Sequence, residues 1–154
     1  MFSGCSSLES IEIPDSVTDI GKNAFMGCDS LKDVYFHGSI EEWNEISNGN
    51  LTNATIHYNM ALYEVNNGYI YFNLSTGEIE ACDKSVSSEV VIPSSIYGVA
   101  VTGIKEDVFN GCSGITSIEI PISIASIGEN AFLGCNDLKN VNFQGTIYDW
   151  EKFR

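Results

Sequence analysis

The sequence predicts a repeat solenoid: a right-handed parallel β ladder with short return segments, about 23 residues per rung, interrupted by a small antiparallel β-hairpin insertion. Three observations predict it. Phe2, Cys5, Leu8, Ile11 and Ile13 recur 23 residues on as Phe25, Cys28, Leu31, Val34 and Phe36. The same step carries Phe109, Cys112, Ile115, Ile118 and Ile120 to Phe132, Cys135, Leu138, Val141 and Phe143. Above it lies a longer period: "SIEIPDSVTDIGKNAFMGC" (10–28) returns as "SIEIPISIASIGENAFLGC" (117–135), and Trp43 returns as Trp150, each 107 residues later.

Within one unit, Leu8-x-x-Ile11-x-Ile13 ends in period-2 alternation, the mark of a short strand with one buried face. Pro14 stops the strand, because it has no N–H to give a ladder. Val17 and Ile20 continue inward along the return, and after Gly21 the one-turn spacing of Ala24, Phe25 and Cys28 predicts a short helix or 3₁₀ turn. No single unit covers its own apolar side, so units stacked about 4.8 Å apart turn those sides into one continuous core. The stretch 34–59 reads as a closing rung, with Leu51-x-x-Ala54-x-Ile56 repeating the strand pattern 20 residues after Leu31.

Next comes "LYEVNNGYIYFNLSTGEIEAC", where alternating β-formers surround Asn67-Gly68 and Thr76-Gly77. Such dipeptides between alternating runs signal hairpins. Residues 60–84 are therefore expected as a three-strand insertion over Tyr63–Val65, Tyr69–Phe72 and Ile79–Cys82. The ladder resumes at Val90-Val91-Ile92-Pro93, with five extra residues at 97–101 before Ile104 and Phe109. This gives a first tract with its closing unit over 1–58, a hairpin connector over 59–86 and a second, truncated tract over 87–154.

The pattern Leu-x-x-Ile-x-Ile-Pro-x-Ser-Val-x-x-Ile-Gly-x-x-Ala-Phe-x-x-Cys at 8–28 resembles the BspA-type leucine-rich repeat, and "VYFHGSIEEWNEISNGNLTNATIHYN" is similar to a variant unit that closes such tracts. The resemblance covers roughly 1–58 and 87–154. It implies a leucine-rich-repeat solenoid on a cell-surface or secreted protein of a host-associated microbe, an adhesive role, and an extracellular or host protein as partner.

Composition narrows the function independently. Seven Lys and Arg against 21 acids leave a net charge of −14, which disfavours nucleic acid and anionic membranes, since both are bound through basic side chains. No apolar run approaches the ~18 residues that span a bilayer, so membrane insertion is not expected. The opening "MFSGCSSLES" lacks the basic start and apolar stretch of a signal peptide. Because it begins partway through a unit, and the counterpart of Leu51–Tyr58 is missing from the second tract, the chain reads as a segment of a longer protein. Uncapped strand edges then predict edge-mediated self-association.

Catalytic material is sparse, and the chain is not expected to be an enzyme or to carry a cofactor or metal. His37 and His57 are the two histidines, and both read as ordinary surface or rim residues. No phosphate-binding, dinucleotide-binding or zinc-protease motif occurs. Cys5 with Cys28, and Cys112 with Cys135, fall on neighbouring rungs with side chains running in parallel, which suits small buried apolar residues better than bridges. Cys82 falls outside that register. Glu41, Glu42 and Glu45 around Trp43, like Tyr148-Asp149-Trp150-Glu151, read as a solvated turn with a Trp plugging the core. Asn50, Asn53 and Asn73 begin Asn-x-Ser/Thr sequons.

A surface remains. The residues flanking the second inward position of each strand are expected to point outward: Ser10 and Glu12, Asp33 and Tyr35, Asn53 and Thr55, Glu89 and Val91, Ser117 and Glu119, Asn140 and Asn142. Solenoids bind through such extended strand faces. A protein partner is the first expectation. A glycan stacked on Tyr35 or the Trp residues, or a passive spacer role, are the alternatives.

Overall fold

The computed structural model describes residues 2–48, 51 and 53–153. The chain divides into two compact units, Met1–Ala61 and Leu62–Arg154. Both are built from parallel rungs, as the repeats predict.

The first unit runs through β1 (Ser10–Ile13), β2 (Asp19–Ile20), β3 (Asp33–Phe36), helix α1 (Ile40–Glu45), β4 (Ser47–Asn48) and β5 (Thr55–Tyr58). Its main sheet has the order β1-β3-β5, parallel throughout, and β2 pairs in parallel with β4 on the return side. Apolar residues of successive rungs meet between these two sheets: Ile13, Ile20, Phe25, Leu31, Val34, Phe36 and Trp43 form one buried cluster. Phe2 stacks on Phe25 with ring centres 5.5 Å apart, and Phe109 on Phe132 at 5.3 Å, so the 23-residue step stacks ring on ring.

Two local devices make the bends. Gly27 and Gly134 adopt φ of +78° and +75°, a left-handed conformation that glycine enters at no steric cost. That requirement places Gly before the repeated Cys. Helix α1 starts with a capping box: the Ser39 Oγ accepts from the Glu42 N–H, and the Ser39 N–H donates back to the Glu42 carboxylate at 2.7 Å. Thr146 and Asp149 repeat the arrangement at α2 (Ile147–Trp150).

The closing rung departs from the sequence expectation. Its register places Ile56 beside Val34 and Tyr58 beside Phe36, a step of 22 rather than 20. Asn53 therefore precedes the strand, and the outward partner of Tyr35 is His57. The Ile56-His57-Tyr58 alternation continues the ladder, whereas Leu51 and Ala54 pack against the first unit's core as partly buried residues before it.

Strand β6 (Met60–Val65) crosses the boundary between the units and leads to β7 (Gly68–Asn73) and β8 (Glu78–Cys82). These are the three predicted insertion strands. The first turn is Asn66–Asn67, with Asn67 at φ +62°, and Gly68 already begins β7. The second unit continues through β9 (Ser88–Val91), β10 (Ser95–Ile96), β11 (Val99–Ala100), β12 (Gly103–Ile104), β13 (Ile115–Ile120), β14 (Ser126–Ile127), β15 (Asn140–Phe143) and α2, ending in a 3₁₀ turn at Glu151–Phe153. The extra residues at 97–101 are accounted for by the β10–β11 hairpin, whose tip Tyr97-Gly98 has positive φ at both positions.

One sheet has the order β15-β13-β9. Another, β14-β12-β8-β7-β6, joins the insertion to the return side, because β12 pairs in parallel with β8. Phe72, Ile79, Val90, Phe109, Ile118 and Ile124 are fully buried in this unit. Strands β1 and β15 lie at the edges of their sheets.

Candidate functional site: the outward strand faces

Each unit carries a three-strand parallel ladder whose inward positions feed the core. Its outward positions therefore form rows across neighbouring strands. In the first unit one row is Ser10, Asp33 and Thr55, and the other is Glu12, Tyr35 and His57. In the second unit the rows are Glu89, Ser117 and Asn140, and Val91, Glu119 and Asn142. Ser10, Thr55, Glu89, Val91, Asn140 and Asn142 are exposed, and Glu12, Asp33, Ser117 and Glu119 are half-buried.

Two expected members do not serve as an open face. Tyr35 is 8% exposed, because it lies on the central strand between Glu12 and His57 and its ring stacks on the His57 imidazole at 4.7 Å. Asn53 is exposed but falls outside the ladder. His57 takes the place assigned to it, and the signal was the alternation at 56–58.

Side chains from adjacent rungs brace the carboxylates. Glu12 Oε1 lies 2.6 Å from His37 Nε2, and Asp33 Oδ1 lies 2.9 Å from His57 Nε2. In the second unit Gln144 Nε2 donates to Glu119. Glu12 with Glu119, and His37 with Gln144, are each related by the 107-residue duplication. Both histidines are thus carboxylate partners, His57 on the strand face and His37 just past the end of β3.

The remaining sequence candidates resolve into structure. Glu42 and Asp149 cap helices, and hydrogen bonds from the Thr146 side chain and backbone hold the Asp149 carboxyl below its usual range. Trp43 is 4% exposed and packs on Phe36; Trp150 packs on Phe143 and Phe153. The Asn73 side chain accepts from the Ser75 and Thr76 amides and donates to Glu80, and Asn50 lies outside the described residues. Lys105 donates to Glu80 at 2.5 Å, which raises the ammonium pKa.

Of the cysteines, Cys5 is exposed rather than buried, Cys28 and Cys135 are half-buried, and Cys82 and Cys112 are buried. Burial, then the contact with Cys112, pushes the Cys82 thiol well above its ordinary range. Among the described residues no group of three or more His, Cys, Asp or Glu side chains is arranged to hold a metal ion, and no helix is long and apolar enough to cross a membrane.

These rungs define a leucine-rich-repeat protein. The match is to the BspA type leucine rich repeat region, six copies over residues 1–101 and 78–153, and the chain belongs to that family. Similar crystal structures include the T. pallidum leucine rich repeat protein (32% identity, covering 42% of this chain and 30% of that one, TM-score 0.40). A leucine-rich repeat protein from Bacteroides capillosus ATCC 29799 is 28% identical, with 53% and 64% covered and a TM-score of 0.44. A leucine rich cell surface protein from Faecalibacterium prausnitzii A2-165 is 15% identical, with 99% and 64% covered and a TM-score of 0.39. The chain thus spans less than two thirds of the length of each. No curated protein matches it.

Proposed function

We propose that this chain is a non-catalytic, protein-binding repeat module of a bacterial cell-surface or secreted protein, and that it binds through the outward strand faces. One observation carries the reading. Glu12 and Glu119 stand at equivalent places in two separate ladders, and each is braced by a donor from the next rung. Solubility alone requires acids on the surface, but not acids fixed in direction. A carboxylate already held in place loses less rotamer freedom when a partner engages it.

The complementary partner is an extracellular or host protein with a basic, hydrogen-bond-donating surface. The net charge of −14 would steer such a partner in and make association weaken with salt. A glycan reading has less support, since Tyr35 is covered, Trp43 is buried and the half-buried Trp150 packs on Phe143 and Phe153.

The test is a binding screen of the purified chain against extracellular-matrix proteins and a glycan panel, with a Glu12→Gln/Glu119→Gln variant alongside. A protein hit weakened in the variant is the expected result. A hit among glycans alone, or a protein hit indifferent to the variant, would refute the proposal.

A further inference from the structure

Cys82 is the cysteine that the 23-residue register leaves unexplained, and the structure gives it a partner. Its Sγ lies 3.1 Å from Cys112 Sγ, with Cys82 7% exposed and Cys112 fully buried. Two of the four in-register thiols are engaged otherwise: Cys28 donates to the Phe2 carbonyl and Cys135 to the Phe109 carbonyl, each at 3.1 Å, one rung back along the ladder. Cys82 instead ends β8 and Cys112 lies just before β13, and the two sulfur atoms meet between these segments. Closing the gap to a covalent S–S distance needs a shift of about 1 Å.

We infer that Cys82 and Cys112 form a disulfide when the chain folds in the presence of a low-molecular-weight or protein disulfide. The thiolate of one cysteine attacks a sulfur of the oxidant and releases one oxidant thiol, leaving a mixed disulfide. The second cysteine attacks the protein-side sulfur of that bond and releases the other. Two protein thiols lose two protons and two electrons, and the oxidant disulfide becomes two thiols. The bond replaces the thiol's hydrogen bond to the Val108 carbonyl, 3.0 Å from Cys82 Sγ. It staples the insertion strand β8 to the second ladder and removes loop entropy from the unfolded chain. Because burial keeps both thiols from oxidants in the folded protein, the bond forms during folding and persists afterwards.

The test is to unfold and reduce the full chain, refold it in a glutathione redox buffer, denature it, alkylate free thiols and measure the intact mass. Of the five cysteines, three are expected to be alkylated, with a Cys82–Cys112 linked peptide after digestion and a higher melting temperature than the reduced chain. Cys5→Ser leaves the bond in place, whereas Cys112→Ser leaves four alkylatable thiols and no internal bond. Five alkylated thiols in the refolded wild type would overturn the inference, as would a Cys5–Cys28 or Cys112–Cys135 linkage. The wild-type measurement decides it even where a variant fails to fold.

Discussion

Replacing Tyr35 by alanine empties a covered position on the central strand of the first ladder. Equilibrium unfolding in urea should report a loss of about 3 kcal/mol, because the ring's contact with His57 goes with it. Glu12→Gln should leave the unfolding midpoint nearly unchanged, since an amide also pairs with His37. Equal losses from both would contradict the division between a folding residue and a surface residue. Asp149 supplies a pH test. Its carboxyl is held low by the Thr146 hydrogen bonds, so its cap is intact above the pH where an unfolded-chain aspartate titrates and is lost as pH falls through the lower folded value. The Asp149 and Thr146 amide signals should therefore move below about pH 4, later than those of an unpaired aspartate. An ordinary aspartate midpoint would contradict it. At this scale the sequence revealed which residues face outward in the duplicated rungs. It hid the covering of Tyr35, which depends on the two side chains beside it in the ladder.

The glycine that follows each return strand separates intrinsic preference from stacking. A Cβ at Gly128 would collide with the backbone of Lys105 and Glu106, while the equivalent Gly21 has open space. Gly128→Ala should therefore destabilise the second unit by roughly 1–3 kcal/mol or more, and Gly21→Ala should be close to neutral. Thermal unfolding of the two variants checks this, and equal costs would count against rung-on-rung packing. Strands of the repeated rungs were legible because a 23-residue step and a prolyl stop at Pro14 and Pro121 leave one register. The closing rung was misplaced by two residues because Leu51 and Ala54 imitate the strand pattern, while Ile56 and Tyr58 carry it. Two same-face positions exchange without altering the inward–outward alternation, so periodicity alone does not choose between them. The partner of Cys82 was hidden for a related reason: β8 enters the return-side sheet from an insertion outside the repeat period.

Across the whole chain, the proposed binding mode has two ladders presenting equivalent braced carboxylates to a partner. Net charge is the competing explanation, since any acidic face of a chain carrying −14 attracts a basic protein. Salt dependence alone does not separate the two, because both weaken with ionic strength. A charge-matched comparison does. Glu106 and Glu129 are exposed on the return side, just beyond β12 and β14. The decisive measurement is the affinity of the screened partner for wild type, Glu12→Gln/Glu119→Gln and Glu106→Gln/Glu129→Gln at one salt concentration. The strand-face account predicts a loss of about tenfold or more for the first pair, the equivalent of about 1.4 kcal/mol, and little change for the second. Equal losses for both pairs, or none for the first, would contradict it.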